Sequence, residues 1–446
     1  MLYERYRKIA EEMIMAAVKS SDPTEAVKKN VKLDGDTLTV VDKQFNLKEF
    51  DRVLLFGIGK ASTPMARAFE EILTPDGGLV ITKKGDEIGA VELESVPVYF
   101  AYHPEPREIN IEVSQKIVDM VEGIKDDEKV LVVFMISGGG SALFDVPPEG
   151  VSVDDLFRFN QIMMRWGGTI YDINTVRKHL SRVKGGRFGQ LCSSKGATTV
   201  SLILSDVVGD DLSVIASGPT YKDETTFAEA IDLLKRANVW DDCPESVRAH
   251  LEKGLENPDM EPPRSVPANT YNFLIGNNYI ALKAAEEIAV REGFNTMILT
   301  SQNYGEAKEI AKCIMGIAKQ VQDTGEPIKT PAALIMGGEM TVTFDWEDRD
   351  GFGPNREFVL RSAIEIAGRK NIVVAAADTD GEDGEGKSGA IADCRSLSRT
   401  ELDPYYYLEK HDAEIFFDDL GDSLEFESRT NVNDINVILI GPADEE

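Results

Sequence analysis

Short segments made only of apolar residues constrain the fold of this chain more than any other feature. They recur as "VLLF" (53–56), "VLVVFMI" (130–136) and "IVVAAA" (372–377), and each has the length of a β-strand. Strands that are apolar throughout, rather than at alternate positions, are typical of parallel sheets with both faces covered. Segments with helical spacing, such as "KASTPMARAFEEIL", lie between these runs. The pattern therefore predicts an α/β fold in which mostly parallel sheets are flanked by helices.

A change of composition divides the chain into two parts. Residues 241–268 contain five prolines and little apolar periodicity, which is typical of a connection between domains. After it, residues 271–301 show a strand, helix and strand pattern that indicates a βαβ unit. We predict an N-terminal Rossmann-like domain (1–262), a C-terminal α/β domain (266–446), and an active site in the cleft between them.

The charge balance excludes several classes of partner. The chain has 78 acidic and 48 basic residues, a net charge of -30, which disfavours nucleic acid and anionic membranes. Four scattered cysteines without a CxxC pair suit a reducing compartment, and no apolar run approaches the roughly 20 residues of a membrane span. The N-terminal segment lacks a cleavable apolar core. We therefore expect a cytoplasmic protein.

Glycine-rich turns follow two of the strand-like runs. Glycines at such positions let backbone N–H groups approach an anion, and the N-terminus of the next helix adds partial positive charge. The spacing matches neither a P-loop nor a dinucleotide fingerprint, since Pro64 and Met65 occupy the positions beyond "GIGKAS". The candidate phosphate- or carboxylate-binding residues in these turns are Gly57, Gly59, Ser137, Gly138, Gly139, Gly140 and Ser141.

Lys60 occupies a position that is unusual for a cation. It follows the first glycine turn directly, where the dipole of the next helix disfavours positive charge by about 0.5 kcal/mol. An anion about 4 Å away would contribute roughly 4 kcal/mol at an effective dielectric constant near 20, which outweighs that cost. We therefore predict that Lys60 contacts an anionic ligand.

A basic segment interrupts the acidic sequence. Residues 165–187 hold six bases and one acid, and Arg177 and Lys184 lie on one side of a predicted helix with an apolar stripe at Val176, Leu180 and Val183. The segment predicts a local anion site.

Two loops rich in acidic residues also follow strand-like runs. They contain Asp206, Asp210 and Asp211 in one case and Asp378, Asp380 and Asp383 in the other. Their carboxylates suit Mg²⁺ shared with phosphate, and they equally suit the ordinary turn chemistry of Asp and Gly. The sequence leaves both interpretations open.

In these loops and in several other strings, the chain resembles the glycerate 2-kinases of the glycerate kinase type 2 group, whose C-terminal half is the MOFRL domain. The matching strings are "GIGKAS", "HPEP", "ISGGGSAL", "INTVRKHLSRVKGGR", "SDVVGDDLSVIASGPT", "GGEMTVT", "DTDGEDG" and "TNVND". The resemblance implies a two-domain α/β enzyme that uses ATP and Mg²⁺ to convert D-glycerate into 2-phosphoglycerate. It also implies a catalytic role for Lys60.

The resemblance extends the set of candidate residues. It implies binding roles in the matching strings of both halves, Mg²⁺ at Asp206 and Asp211, and orientation of the substrate hydroxyl by Asp206, Glu339 or Asp380. The family arginine that assists transfer is replaced here by Pro354, so Arg356, two residues on, is the candidate for that role. The implied substrate- and nucleotide-binding residues beyond the glycine turns are Asn174, Arg177, Lys184, Ser205, Asp206, Gly338, Glu339, Asn355, Asp380, Asn431 and Asn433.

Two other functions compete with the kinase. A hydroxypyruvate reductase would need a nicotinamide fingerprint, and the sequence shows none. A sugar-phosphate sensor would need no nucleotide site, although "GIGKAS" also resembles sugar-binding loops of isomerases. We expect small-molecule partners only, D-glycerate and ATP, and a homodimer.

Overall fold

The computed structural model describes residues 2–85, 92–344 and 351–443. In these residues the helices are α1 (Leu2–Ser20), α2 (Pro23–Asn30), α3 (Ser62–Glu70), α4 (Glu108–Glu122), α5 (Gly140–Leu143), α6 (Val153–Trp166), α7 (Ile170–His179), α8 (Arg187–Ser194), α9 (Phe227–Arg236), α10 (Glu245–Glu256), α11 (Asn278–Arg291), α12 (Ala307–Thr324), α13 (Pro354–Glu365), α14 (Pro404–Glu409) and α15 (Ala413–Leu420).

The strands in the same ranges are β1 (Val31–Asp34), β2 (Thr37–Val40), β3 (Lys43–Asn46), β4 (Arg52–Ile58), β5 (Gly77–Lys83), β6 (Val98–Ala101), β7 (Val130–Ile136), β8 (Thr198–Leu204), β9 (Thr270–Gly276), β10 (Asn295–Glu306), β11 (Ala332–Thr341), β12 (Ile372–Glu382), β13 (Lys387–Asp393), β14 (Ser423–Leu424) and β15 (Asp434–Ile440). None of the helices in the described ranges combines the length and the apolarity that crossing a bilayer requires.

The chain folds into two compact units. One, the N-terminal unit, is Pro23–Ile275, and the other, the C-terminal unit, combines the residues from Gly276 onward with those up to Asp22. This division differs from the expected boundaries of 1–262 and 266–446, because α1 packs on α11 and β12. The apolar stripe of α1, including Ile9, Met13 and Ala17, is fully buried there. A stripe of this kind shows that a helix packs, but not on which sheet.

The N-terminal unit is built on a six-stranded sheet in the order β6-β5-β4-β7-β8-β9. The pairs β4–β5, β4–β7, β5–β6 and β7–β8 are parallel, and β7 is buried at every position. After β4 the chain builds the sheet first on one side and then, from β7, on the other. The carboxyl ends of β4 and β7 therefore flank a topological switch point, where open α/β sheets bind ligands.

The C-terminal unit contains a mixed sheet in the order β10-β11-β15-β12-β13-β14. Only β10 and β11 pair in parallel, and the other four neighbouring pairs are antiparallel. The α/β class is confirmed, and β10, β11, β12 and β14 point in one direction, but β15 and β13 run against them. The apolar runs report burial on both faces, and such burial is independent of strand direction.

Three local expectations differ from the structure. The proline-rich stretch at 241–268 contains α10, whose Val247 and Leu251 are buried in an apolar cluster of the N-terminal unit. The expected βαβ unit is divided, because β9 joins the first sheet and β10 the second. The helix predicted through Val183 ends early, because α7 stops at His179 and α8 begins only at Arg187, after Gly185 and Gly186 with left-handed φ angles of 57° and 83°.

Candidate active site

Two glycine turns meet at the switch point of the N-terminal unit. The backbone N–H of Lys60 donates to the carbonyl of Gly138 over 2.9 Å, and the N–H of Ala61 donates to Ser137 Oγ over 3.0 Å. Gly59 has a φ of 113°, and a Cβ at this position would lie 2.5 Å from the carbonyl oxygen of Ser137. Only glycine permits this approach, so the glycine at position 59 lets the "GIGKAS" and "SGGGS" turns lie in direct contact.

Three polar side chains surround the "SGGGS" turn. A Cβ on Gly138 would overlap the carboxylate of Asp206, with 2.7 Å to its Cγ. A Cβ on Gly139 would lie 3.2 Å from His103 Nε2 and 3.4 Å from Lys60 Cγ. Lys60 is exposed, and its ammonium forms no salt bridge with any residue that the structure describes. The turn is therefore lined by a free cation, a carboxylate and an imidazole.

The electrostatics of this site follow from burial and from Lys60. Burial raises the pKa of Asp206, while its own backbone N–H and the charge of Lys60 act in the opposite direction. Burial, and after it the charges of Lys60 and Lys83, lower the pKa of His103 to about 4. His103 is therefore neutral at neutral pH.

A chain of hydrogen bonds extends the site toward α7. Ser141 Oγ lies 2.6 Å from Ser217 Oγ, and Ser217 donates to Asn174 Oδ1 over 2.7 Å. Asn174 is almost completely buried, and its Nδ2 has no hydrogen-bond partner among the described residues. A buried amide donor without a partner costs about 1–3 kcal/mol, so this N–H is available to a ligand or a water molecule.

The loop that carries Ser217 has a strained backbone. Ala216 and Ser217 adopt φ angles of 50° and 60°, in the left-handed region that non-glycine residues occupy at a cost of about 1–2 kcal/mol each. Ala216 Cβ lies only 2.8 Å from where a Cβ on Gly140 would be, so the strained loop closes against the "SGGGS" turn. Strain of this kind is common at functional sites.

The cations of the basic segment are paired with the protein itself. Lys184 is completely buried, and its Nζ lies 3.1 Å from Asp145 and donates to the carbonyl of Phe144 over 2.7 Å. Arg177 donates from Nε to Asn160 over 3.1 Å, and burial lowers its pKa. The predicted ligand contact of Lys184 is therefore not supported, because a fully desolvated ammonium retains its charge only beside a countercharge.

A second group of predicted residues meets in the C-terminal unit, around Asp434. Asp434 accepts from the N–H of Met340 over 2.7 Å and from Asn355 Nδ2 over 2.6 Å. In the sheet it lies opposite both Gly338 and Asp378. The amino end of β15 thus joins the carboxyl ends of β11 and β12 at one edge.

Polar residues of the neighbouring loops complete this second group. Asn431 donates to Asp380 over 3.2 Å, and Thr379 donates to the carbonyl of Asn433 over 2.9 Å. Burial, together with the charges of Asp383 and Glu339, raises the pKa of Asp434 to about 8, against the opposing effect of the hydrogen bonds from Met340 and Asn355. Burial also raises the pKa of Asp378, as do its acidic neighbours. These carboxyl groups retain protons that exposed ones would lose.

Arg356 lies in the closed interior of the C-terminal unit. Its side chain has no exposed surface, and Nε is 3.1 Å from Asp383. Its other donors bind Glu414 and the carbonyls of Phe352 and Asp383. The expected catalytic role of Arg356 is not supported, because the first turn of α13 points this guanidinium into the protein and all its nitrogens are engaged.

The chain matches two family models, "Domain of unknown function (DUF4147)" over residues 9–252 and "MOFRL family" over residues 332–434. A glycerate 2-kinase from Pyrococcus horikoshii is 37% identical over 97% of this chain and 97% of its own. The chain belongs to the glycerate kinase type 2 family. A second relative of this family, from Agrobacterium vitis and provisionally named a hydroxypyruvate reductase, is 37% identical over 98% of this chain and 94% of its own.

A solved structure agrees with the family assignment. The crystal structure of a glycerate kinase from Thermotoga maritima matches with a TM-score of 0.85 and 34% identity, and covers 98% of this chain and 100% of the other. The resemblance to glycerate kinases of type 2 that the motifs indicate is therefore confirmed.

Asp206 and Asp211 are the residues predicted to hold the Mg²⁺ that the family resemblance implies. In the described parts of the chain, no three His, Cys, Asp or Glu side chains form a group that could hold a metal. Asp211 Oδ1 accepts from the N–H of Ser213 over 2.8 Å, whereas the Asp206 carboxylate lies directly against the "SGGGS" turn. A single carboxylate beside a glycine turn fits an ion that takes its other ligands from phosphate and water.

The sequence reasoning missed several residues of the first site. His103 lies in the string "HPEP", and Ala216 and Ser217 lie in "IASGPT". No pattern in the sequence around these residues predicts that they lie against the "SGGGS" turn. The histidine reaches the turn because β6 ends beside β5 in the sheet. Ser205 is buried, and its Oγ accepts from the N–H of Val207 over 3.2 Å, so it shapes the loop that presents Asp206.

Proposed function

We propose that this protein phosphorylates the 2-hydroxyl of D-glycerate with ATP, in an Mg²⁺-assisted reaction that gives 2-phosphoglycerate. The observation that supports this proposal best is the exposed ammonium of Lys60 beside the "SGGGS" turn, which has no salt bridge to any described residue in a chain of net charge -30. The names of two relatives support the choice of substrate, a glycerate 2-kinase from Pyrococcus horikoshii and a D-glycerate 2-kinase from Thermotoga maritima.

The reaction requires charge neutralisation more than covalent chemistry. Glycerate has one negative charge and ATP about four, and transfer of the γ-phosphoryl group depends on positioning and on cations near the equatorial oxygens. An ammonium about 4 Å from a phosphate oxygen contributes roughly 4 kcal/mol per unit charge at an effective dielectric constant near 20. Lys60 stabilises the moving phosphoryl group, and it has no salt bridge to another described residue that would have to break first.

The remaining residues of the site have binding roles. The N–H groups of Gly138 and Gly139 donate to the phosphates, since those of Ser137 and Gly140 already bind backbone carbonyls. Nδ2 of Asn174, which has no partner among the described residues, donates to an oxygen of the substrate. Asp206 would hold Mg²⁺ together with the phosphates of ATP, and the ion would supply further neutralisation of their charge.

The test is the replacement of Lys60 by alanine. Purified protein is assayed with ATP, Mg²⁺ and D-glycerate, and phosphorus NMR separates 2- from 3-phosphoglycerate. We expect the Lys60→Ala protein to fold normally, because the exposed side chain makes no salt bridge within the described structure, and kcat to fall about 10²- to 10³-fold.

The matched control is Lys125→Ala. Lys125 is also exposed and belongs to the same unit, but it precedes the amino end of β7, at the opposite edge of the sheet. We expect this variant to keep wild-type turnover. Near wild-type kcat in folded Lys60→Ala protein would contradict the role of the lysine.

The name of the Agrobacterium vitis relative keeps one alternative open, the reduction of hydroxypyruvate. That reaction would oxidise a nicotinamide cofactor directly, so its absorbance would change without coupling enzymes. The kinase would leave the cofactor unchanged and would form ADP only when glycerate is present.

A further inference from the structure

His103 lies at the first site, and among the described residues its ring forms none of the hydrogen bonds by which a histidine usually stabilises a fold. It follows the end of β6, and its Nε2 edge faces the "SGGGS" turn, where a Cβ on Gly139 would come within 3.2 Å of Nε2 and 3.1 Å of Cδ2. Among the residues that the structure describes, neither ring nitrogen has a hydrogen-bond partner. Buried and half-buried imidazoles that serve the fold are usually hydrogen-bonded, as His179 and His250 are here.

The surroundings of His103 keep it neutral and able to accept a proton. Its pKa is lowered to about 4, first by burial and then by two positive charges, Lys60 beyond β4 and Lys83 at the end of β5. A bound polyanion would offset both charges, since an opposite charge within about 4–6 Å favours the protonated form. The imidazole therefore becomes a better base when the nucleotide is in place.

We propose that His103 is the proton acceptor for the alcohol that attacks ATP. This inference rests on the proposed kinase function. The hydroxyl oxygen of glycerate forms a bond to the γ-phosphorus while the bond from that phosphorus to the oxygen of the leaving ADP breaks. The hydroxyl proton moves to Nε2 of His103 and later to water. The products are phosphoglycerate, ADP and one proton.

His103 fits this role better than Asp206, the other base beside the turn. Asp206 has polar partners within the protein and is the residue proposed to meet the metal-bound nucleotide. A carboxylate that coordinates a cation is a weaker proton acceptor, because the cation stabilises its charged form. Lys60 cannot serve, since the reaction needs its positive charge.

The experiment compares His103→Asn and His103→Ala with His250→Asn. His250 is the control because it is half-buried in the same unit and because its ring forms a hydrogen bond, among the described residues, with the backbone carbonyl of His179 over 3.1 Å. Turnover is measured between about pH 5 and pH 9, and the fold of each variant is checked by circular dichroism and by calorimetric binding of ATP. We expect kcat to fall about 10²- to 10⁴-fold in both His103 variants, with KM for glycerate changed less than about threefold.

Two further readouts separate proton transfer from a structural role. The decrease of log kcat on the acid side should disappear in His103→Asn and remain in His250→Asn, and added imidazole should restore part of the activity of His103→Ala. NMR of the histidine ring should show the pKa of His103 rising when a non-hydrolysable ATP analogue binds. A retained acid limb, no response to imidazole, or kcat within about threefold of wild type would overturn the assignment.

The outcomes also separate this inference from the proposed function. If the wild-type protein forms no phosphoglycerate, the kinase proposal fails and the base assignment fails with it. If the wild-type protein is an active kinase and the His103 variants match it, only the assignment of His103 fails.

Discussion

Replacing Arg356 with methionine distinguishes a structural arginine from a catalytic one. The Arg356 side chain has no exposed surface and Asp383 is 1% exposed, so removal of the guanidinium leaves a carboxylate without its ionic partner in the interior. Breaking a buried pair in this way costs about 3–5 kcal/mol. Because total stabilities are about 5–15 kcal/mol, we expect a large fall in the urea midpoint of the Arg356→Met protein.

The control for this prediction is the exposed pair of Lys312 and Glu309 in the same unit. Its side chains are 41% and 57% exposed with 2.8 Å between Nζ and Oε1, so Lys312→Met should cost less than about 1 kcal/mol. Unfolding is followed by circular dichroism in urea, and hydrogen exchange of α13 shows whether the loss is local to the C-terminal unit.

The pH dependence of the Arg356→Met protein tests the same reasoning. Burial raises the pKa of Asp383 and Arg356 opposes this, so without the arginine the pKa of the carboxyl rises further. A native state that holds a proton which the unfolded chain releases loses stability as pH rises above about 4, the unfolded pKa. We expect the variant to lose more stability near pH 8 than near pH 5, and Asp383→Asn to recover part of the loss. Wild-type stability with strongly reduced kcat would refute the structural role and favour the catalytic one.

Three further predictions follow from single positions. Gly138→Ala should displace the Asp206 carboxylate, since the new Cβ would lie 2.7 Å from Asp206 Cγ. We expect kcat to fall at a nearly unchanged thermal midpoint, because Gly138 has no positive φ. Full activity would show that the position of Asp206 is unimportant. Gly316→Ala, in the middle of α12 with open space around its Cα, should stabilise the protein by about 0.5–1 kcal/mol without changing turnover, as measured by urea unfolding. Because the pKa of Asp434 is raised to about 8, the free energy of unfolding should decrease as pH rises from about 4 to about 8. Asp434→Asn should flatten this pH dependence in thermal unfolding, and an unchanged pH dependence would contradict the buried protonated carboxyl.

The sequence predicted the parts of the first site that depend on local structure. An apolar run followed by glycine and then by helical spacing gives a strand, a tight turn and a helix, whatever lies around them. For this reason Lys60, Gly59 and the "SGGGS" turn lie where the pattern placed them, with Lys60 exposed and Gly59 in the left-handed region.

Local patterns could not show which charges the fold would pair. Lys184 and Arg356 are cations in segments that suit an anionic ligand, but in the structure Asp145 and Asp383 neutralise their charges. These partners lie 39 and 27 residues away (184 − 145 and 383 − 356). Whether a cation is free depends on such distant neighbours, and no periodicity within one segment reports them.

By itself, the sequence determined most of the helices and strands, the glycine turns, the family and the position of Lys60 directly after the first of these turns. Only the tertiary structure decided that α1 and β9 join different units from those their positions suggested, that β15 runs against its neighbours, and that His103 meets Lys60 beside Gly139. The physical reason is the range of the interactions. Turns and helices are specified by steric and hydrogen-bonding preferences within a few residues, whereas strand partners and buried charge pairs are selected by burial summed over segments far apart in the chain.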